Sequence, residues 1–309
     1  MRTSLFLWGG SLVFLLLMSC EKTLNITLSN GSASVVIEGT IETGQPPYVY
    51  LTNSVGFFDK IDLNSIQYIQ GATLQVTDIQ TAQSITLKQY TIDTVIGSKT
   101  FSFTVYGPDI NDPQAMAYKG QIEHTYRLQV NTGGNTYTSF TKIPKSNGLD
   151  SVWTELVPGR EDSFSILKGR YIDPDTFGNA VKVQTLVHKY IKTGDPEIYQ
   201  TSFNAVYNDD IINGTALPVT IDIGYDKSKN YSGEDFQTLG YLRHGDTVTL
   251  KWSAIDGGVY HFWETMSYSA GTIGNPFASP IKIQSNIPGA LGVWAGYNPT
   301  FYTLVDTLK

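Results

Sequence analysis

The chain has 309 residues, a formal net charge of −7, 16% charged side chains, 19 Tyr, 29 Gly and a single cysteine. No Lys/Arg cluster is present to neutralise phosphates, which disfavours nucleic acid as a partner. A lone cysteine closes no internal disulfide, and the count excludes zinc ribbons and a cysteine nucleophile in the folded part.

Residues 1–19 open with Arg2 and continue as a mostly apolar run, Leu5 to Met18, of about 14 residues, short of the ~20 that span a bilayer as a helix. A basic start, a short apolar segment and a small residue before a cut are the marks of a secretory signal. The ending Leu17-Met18-Ser19-Cys20 resembles a bacterial lipoprotein box, in which Cys20 takes a diacylglyceryl thioether and an acyl chain such as palmitate. An ordinary signal peptide with a chance cysteine is the competing reading. Residues 20–33 are then expected to be a lipidated polar tether. Its dozen residues from Glu21 reach roughly 40 Å when extended at ~3.3–3.6 Å each.

Residues 34–145 carry short β patterns. Val35-Val36-Ile37 opens one, with Gly39 as a bend, and Tyr48 to Leu51 follows Pro46-Pro47. Ala72, Leu74 and Val76 alternate with Thr73, Gln75 and Thr77, the period of a strand buried on one face. Phe101, Phe103 and Val105 alternate with Ser102, Thr104 and Tyr106. His124, Tyr126, Leu128 and Val130 share a face, and Asn131 to Asn135 reads as a hairpin turn. About seven short strands at this spacing predict an immunoglobulin-like β-sandwich.

Ile143-Pro-Lys-Ser-Asn-Gly-Leu-Asp150 reads as a linker. Residues 150–309 are expected to form a second β-rich domain with one short helix. Val181, Val183, Thr185 and Val187 alternate with Lys182, Gln184, Leu186 and His188, in a strand that extends toward Ile191. Val248, Leu250 and Trp252 give the cleanest strand. Val259, Phe262, Trp263 and Met266 then fall at i, i+3, i+4 and i+7, with Asp256 as N-cap and Gly271 at the end, which predicts a helix packing on a sheet.

Patterns that carry chemistry are few. His124, His188, His244 and His261 show no metal-ligand spacing, and His124 reads as a hydrogen-bonded core residue. Asp173 to Asn179 echoes a calcium loop but has Phe177 where an oxygen ligand is needed and Gln184 where a Glu is needed, so a turn explains it. Asn208-Asp209-Asp210 reads as a polar loop. No nucleophile elbow or phosphate-cradling loop occurs, so no catalytic residue, metal ligand or cofactor is assigned. Tyr260, Trp263 and Tyr268 are the candidate contacts for a ligand or partner, weighed against rings that fill the second core. Four Asp-Ser/Thr-apolar triplets, starting at Asp93, Asp150, Asp246 and Asp306, resemble an O-glycosylation pattern of exported Bacteroidota proteins.

The segment from Asn275-Pro-Phe277 through Pro280 to Ser285-Asn286-Ile287-Pro-Gly-Ala-Leu-Gly-Val-Trp294, with Gly296-Tyr297, resembles the closing motif of a lipoprotein family. That family is the Bacteroidota domain-of-unknown-function family numbered 4249. Val36 to Gly39, Gly71 to Asp78, Tyr126 to Val130, Asp150 to Val152 and Tyr171 to Pro174 fit it in order. Trp294 stands where the family more often has Phe. The resemblance implies an outer-membrane lipoprotein, on the cell-surface or periplasmic face, often encoded beside a TonB-dependent receptor. The expected role is therefore a binding or accessory subunit of such a barrel. An extracytoplasmic hydrolase of glycan or peptide, and a structural or adhesive surface protein, are the alternatives.

Overall fold

A computed structural model describes residues 33–54, 66–96, 99–159, 164–190, 197–210, 213–226, 229, 231–272 and 281–308. The signal segment, Cys20, most of the tether and Asn275 to Pro280 lie outside the described residues. The chain is mainly β, as its alternating patterns predict. Strands β1 (Val35–Glu42), β2 (Tyr48–Asn53), β3 (Thr73–Asp78), β4 (Ser84–Ile96), β5 (Lys99–Gly107), β6 (Thr125–Thr132) and β7 (Asn135–Lys142) come from the first half. The second half supplies β8 (Leu149–Leu156), β9 (Ser165–Ile172), β10 (Ala180–Val187), β11 (Val206–Asn208), β12 (Ala216–Ile221), β13 (Thr247–Ile255) and β14 (Leu291–Val305). Helices are α1 (Pro113–Ala117), α2 (Glu234–Gln237) and α3 (Gly257–Gly271).

Eleven strands join in the order β11-β10-β13-β14-β1-β2-β5-β4-β3-β6-β7, and β12-β9-β8 form a separate sheet. Period-two burial explains the first core. Ile37 and Ile41 of β1, Val49 and Leu51 of β2, Leu74 and Val76 of β3, and Tyr126, Leu128 and Val130 of β6 all point into one cluster. Each such side chain contributes roughly 1.5–3 kcal/mol when fully buried. In β5 the inward set is Thr104 and Tyr106, while Phe103 and Val105 are half-buried. Gly133 and Gly134 turn the β6–β7 hairpin with φ of 55° and 76°, which only glycine adopts without strain.

β14 joins the two halves of the chain. Its first part pairs in parallel with β1, Gly39 lying beside Trp294, and its second part pairs antiparallel with β13. Trp294 is fully buried in the first core and its Nε1 donates to Tyr126 O at 2.9 Å. A Cβ on Gly39 would stand 2.6 Å from the Trp294 ring, so the indole needs glycine there. Of the segment Ile143 to Asp150, residues Ile143 to Gly148 lie between β7 and β8, while Leu149 and Asp150 open β8, where Tyr302 of β14 bonds both Leu149 N and Leu149 O.

The second core lies between β12-β9-β8 and the inner face of β10 and β13, where Leu167, Tyr171, Ile221, Val183, Leu250 and Trp252 meet. The alternation in β10 and β13 predicts one solvated face, yet both faces are buried. The reason is α3, which covers the outer face and packs Val259 and Phe262 on Ile255, Val293 and Tyr297. Polar residues of that face, Lys182 and Ser253, are enclosed beneath it. β10 ends at Val187 and passes into a 3-10 turn over His188–Tyr190, short of Ile191.

Candidate functional site

The helix start is built as its sequence predicts. Asp256 is the N-cap, its Oδ1 accepting from Val259 N at 3.0 Å. Its other oxygen accepts from Thr141 Oγ1 at 2.5 Å and Lys142 N at 2.9 Å, tying α3 to the end of β7. The three aromatic candidates then separate. Tyr260 is 9% exposed and donates to Glu264 at 2.8 Å, while Trp263 donates from Nε1 to Tyr297 OH at 2.8 Å. The buried Lys182 ammonium sits 3.4 Å from the Trp263 ring centroid, a desolvated cation–π contact. Trp263 is half-buried against this core, and Tyr268, at 55% exposure, presents its ring to solvent. Two of the three rings therefore serve the core.

Each of the four histidines has its own partner. His124 contacts Asp78 at 2.7 Å, His188 contacts Thr249 at 2.8 Å, His244 contacts Leu308 O at 3.0 Å and His261 contacts Glu264 at 3.4 Å. Among the described residues no group of three or more His, Cys, Asp or Glu side chains is placed to hold a metal ion. In the Asp-Ser/Thr triplets, Asp246 and Asp306 are buried and used internally. Asp246 pairs with Lys189 at 2.5 Å, and Asp306 accepts from Thr154 and Ser165.

The loop from Asp173 to Asn179 is held by Asp209, which the sequence places far away. Asp209 Oδ1 accepts from Gly178 N at 3.1 Å, and its Oδ2 accepts from Asn179 N at 3.0 Å and Asn179 Nδ2 at 3.2 Å. This carboxylate, 1% exposed, does the closing that the calcium-like spacing suggests a cation would do. Asp173 is used only in part: its Oδ2 accepts from Gly214 N at 3.0 Å, and its Oδ1 is buried without a hydrogen-bond partner.

Beside this loop, between edge strands β11 and β12, lies a cleft of about 370 Å³. Val181, Val183, Val219 and Ile221 make its walls, Tyr207 stands at the mouth, and Asp173, Tyr171 and Trp252 reach its floor. Trp252 Nε1 is also buried with no partner. Tyr171 and Trp252 meet at 5.4 Å between ring centroids. An unsatisfied buried donor or acceptor costs about 1–3 kcal/mol, so two at one floor are a stored demand for hydrogen bonds. Burial first, and Asp222 second, push the Tyr207 phenol up to about 12, so it stays neutral at the mouth. Burial first, and a hydrogen bond from its phenol to the Asp173 carboxylate second, raise Tyr171 further still.

Sequence reasoning missed this cleft. Trp252 reads as strand core and Asp173 as a turn residue, and nothing local joins them to Tyr207. The usable signal was a Trp on an otherwise aliphatic strand face, because its N–H needs a partner that the neighbouring valines and leucines lack. A search of curated proteins finds no match to the chain. A family model described as a domain of unknown function (DUF4249) matches residues 21–303, and the chain belongs to that family.

Proposed function

We propose that the chain is a lipid-anchored binding subunit of the outer membrane, acting beside a TonB-dependent barrel and presenting a small-molecule cleft. The observation that carries the binding part is the cleft whose floor holds two unpartnered polar atoms, Asp173 Oδ1 and Trp252 Nε1. A cleft of this volume with apolar walls and few polar groups has the character of a ligand site. The anchoring part rests on the signal segment and Cys20. More than one acyl chain gives stable anchoring, and confinement in the membrane raises the effective concentration toward a partner. Ile37 of β1, Leu51 of β2, Leu74 of β3 and Leu128 of β6 meet in one core cluster, which supports reading the first half as an immunoglobulin-type module.

The hydrolase alternative is weaker on the same ground. Glycoside hydrolysis needs two available carboxyl groups. Asp173 and Asp209 both border the cleft, but Asp209 has both oxygens committed to the 178–179 backbone. Native purification in mild detergent tests the proposal: a TonB-dependent barrel should accompany the protein, and Cys20→Ser should release the protein and abolish its support of that barrel. Repeated recovery of the lipoprotein alone, or full function of the released form, overturns it.

A further inference from the structure

We infer that the cleft under Tyr207 takes a neutral small molecule with an apolar body and a hydroxyl group, an alcohol or phenol in class. This rests on the binding reading above and names what is bound. The walls define the ligand's body. Four aliphatic side chains and the Tyr207 and Trp252 rings surround the space, so most of what a ligand buries there must be apolar. A sugar ring carries hydroxyls on all sides, and most of them would lose water against Val181, Val183 and Ile221 without gaining a partner.

The charges define the ligand's neutrality. Among the described residues that line the cleft, Asp173 and Asp209 are acidic and none is Lys or Arg. A carboxylate or phosphate would be desolvated beside carboxylates, so anions are rejected. The floor defines the polar group. Asp173 Oδ1 needs a donor and Trp252 Nε1 needs an acceptor. A hydroxyl offers both; an ammonium serves only the first and a ketone only the second.

Solvent reaches neither floor atom, so access requires a side chain to move. Tyr207 is the ring to swing: it is 37% exposed on an edge strand, whereas Tyr171 and Trp252 are 6% and 4% exposed. The hydroxyl then fills the pair of hydrogen bonds that the protein leaves unmade, and the aromatic mouth closes over an apolar body.

The test uses the full-length chain carrying Cys20→Ser, labelled with ¹⁵N, with p-cresol and cyclohexanol as probes. Octanoate and methyl β-glucopyranoside serve as counter-probes. The Trp252 indole N–H signal, assigned by its loss in Trp252→Phe, should shift saturably with the two neutral hydroxyl probes and with neither counter-probe. Trp252→Phe should weaken p-cresol binding about tenfold. Val219→Phe, at the half-buried rim, should block binding while the other indole signals stay in place. Absence of a saturable shift with both neutral probes overturns the inference and leaves the barrel co-purification result standing by itself. A saturable shift with octanoate or the glucoside alone overturns the ligand class.

Discussion

Asn286 grips Trp294 by both sides of its peptide backbone. Its Oδ1 accepts from Trp294 N at 2.9 Å and its Nδ2 donates to Trp294 O at 2.8 Å, so one side chain stands in for a missing strand at this position. Asn286→Ala leaves two enclosed backbone groups unpaired, at about 1–3 kcal/mol each. Urea denaturation should therefore show a loss of about 2–5 kcal/mol. A variant as stable as the parent would mean that solvent replaces the amide.

Trp294→Phe is a milder version of the same damage. The ring volume is largely kept, but Tyr126 O loses its 2.9 Å bond from the indole. The expected cost is about 1–3 kcal/mol with the fold retained. Far-ultraviolet dichroism should keep its native form, and the denaturation midpoint should fall. Gly39→Ala should cost more, because its Cβ meets a ring that has nowhere to go in a closed core.

Asp256 gives a third prediction. It caps α3 and receives Thr141 and Lys142 of the first half, while Thr141 Oγ1 in turn accepts from Gly296 N at 2.8 Å. Removing the carboxylate in Asp256→Ala loses a cap, at about 0.5–2 kcal/mol, and strands further donors. Hydrogen exchange should rise first in α3 and at the end of β7. Protection lost only within the helix would show that the link to β7 carries no weight.

These junctions mark the limit of what the sequence reveals. The α3 segment was legible because Asp256, the i, i+3, i+4, i+7 apolar set and Gly271 lie within one short window. β3, β6 and β13 were legible through their alternation. The role of β14 was not. Its parallel pairing with β1 joins residues near opposite ends of the chain, and Gly39, Asn286 and Trp294 acquire meaning only together. Burial of Lys182 and Ser253 was hidden for a related reason: a strand's own alternation does not show that a helix will cover its polar face. The cleft draws Asp173, Tyr207 and Trp252 from three separate elements, so local patterns could not assemble it.

Asp78 sets an acid limit on stability. Burial pushes its pKa up, but hydrogen bonds from His124 at 2.7 Å, Thr81 N at 3.3 Å and Gln80 N at 2.9 Å outweigh that and leave it below 3.8. A carboxyl depressed in the folded state contributes stability above its unfolded pKa and loses it as pH falls through the folded value. Stability should thus decline below about pH 4. Asp78→Asn should flatten that decline while lowering stability at neutral pH. An acid limb of unchanged slope, measured by urea titrations, would rule this out.

Trp263 and Tyr268 lie on the same helix but answer to different forces. Trp263 bonds Tyr297, and Lys182 stacks on it, so Trp263→Ala leaves a buried ammonium and a buried phenol short of contacts. A loss of about 3–5 kcal/mol is expected, as for other large aromatics removed from cores. Tyr268, more than half exposed, should change stability by no more than about 0.5 kcal/mol when replaced by Ala. If α3 faces a membrane partner, Tyr268→Ala should weaken co-purification of that partner while the denaturation midpoint stays fixed. Undiminished co-purification would remove Tyr268 as a contact and leave the cleft as the candidate surface. A large loss of stability in Tyr268→Ala would instead place its ring in the core beside Trp263.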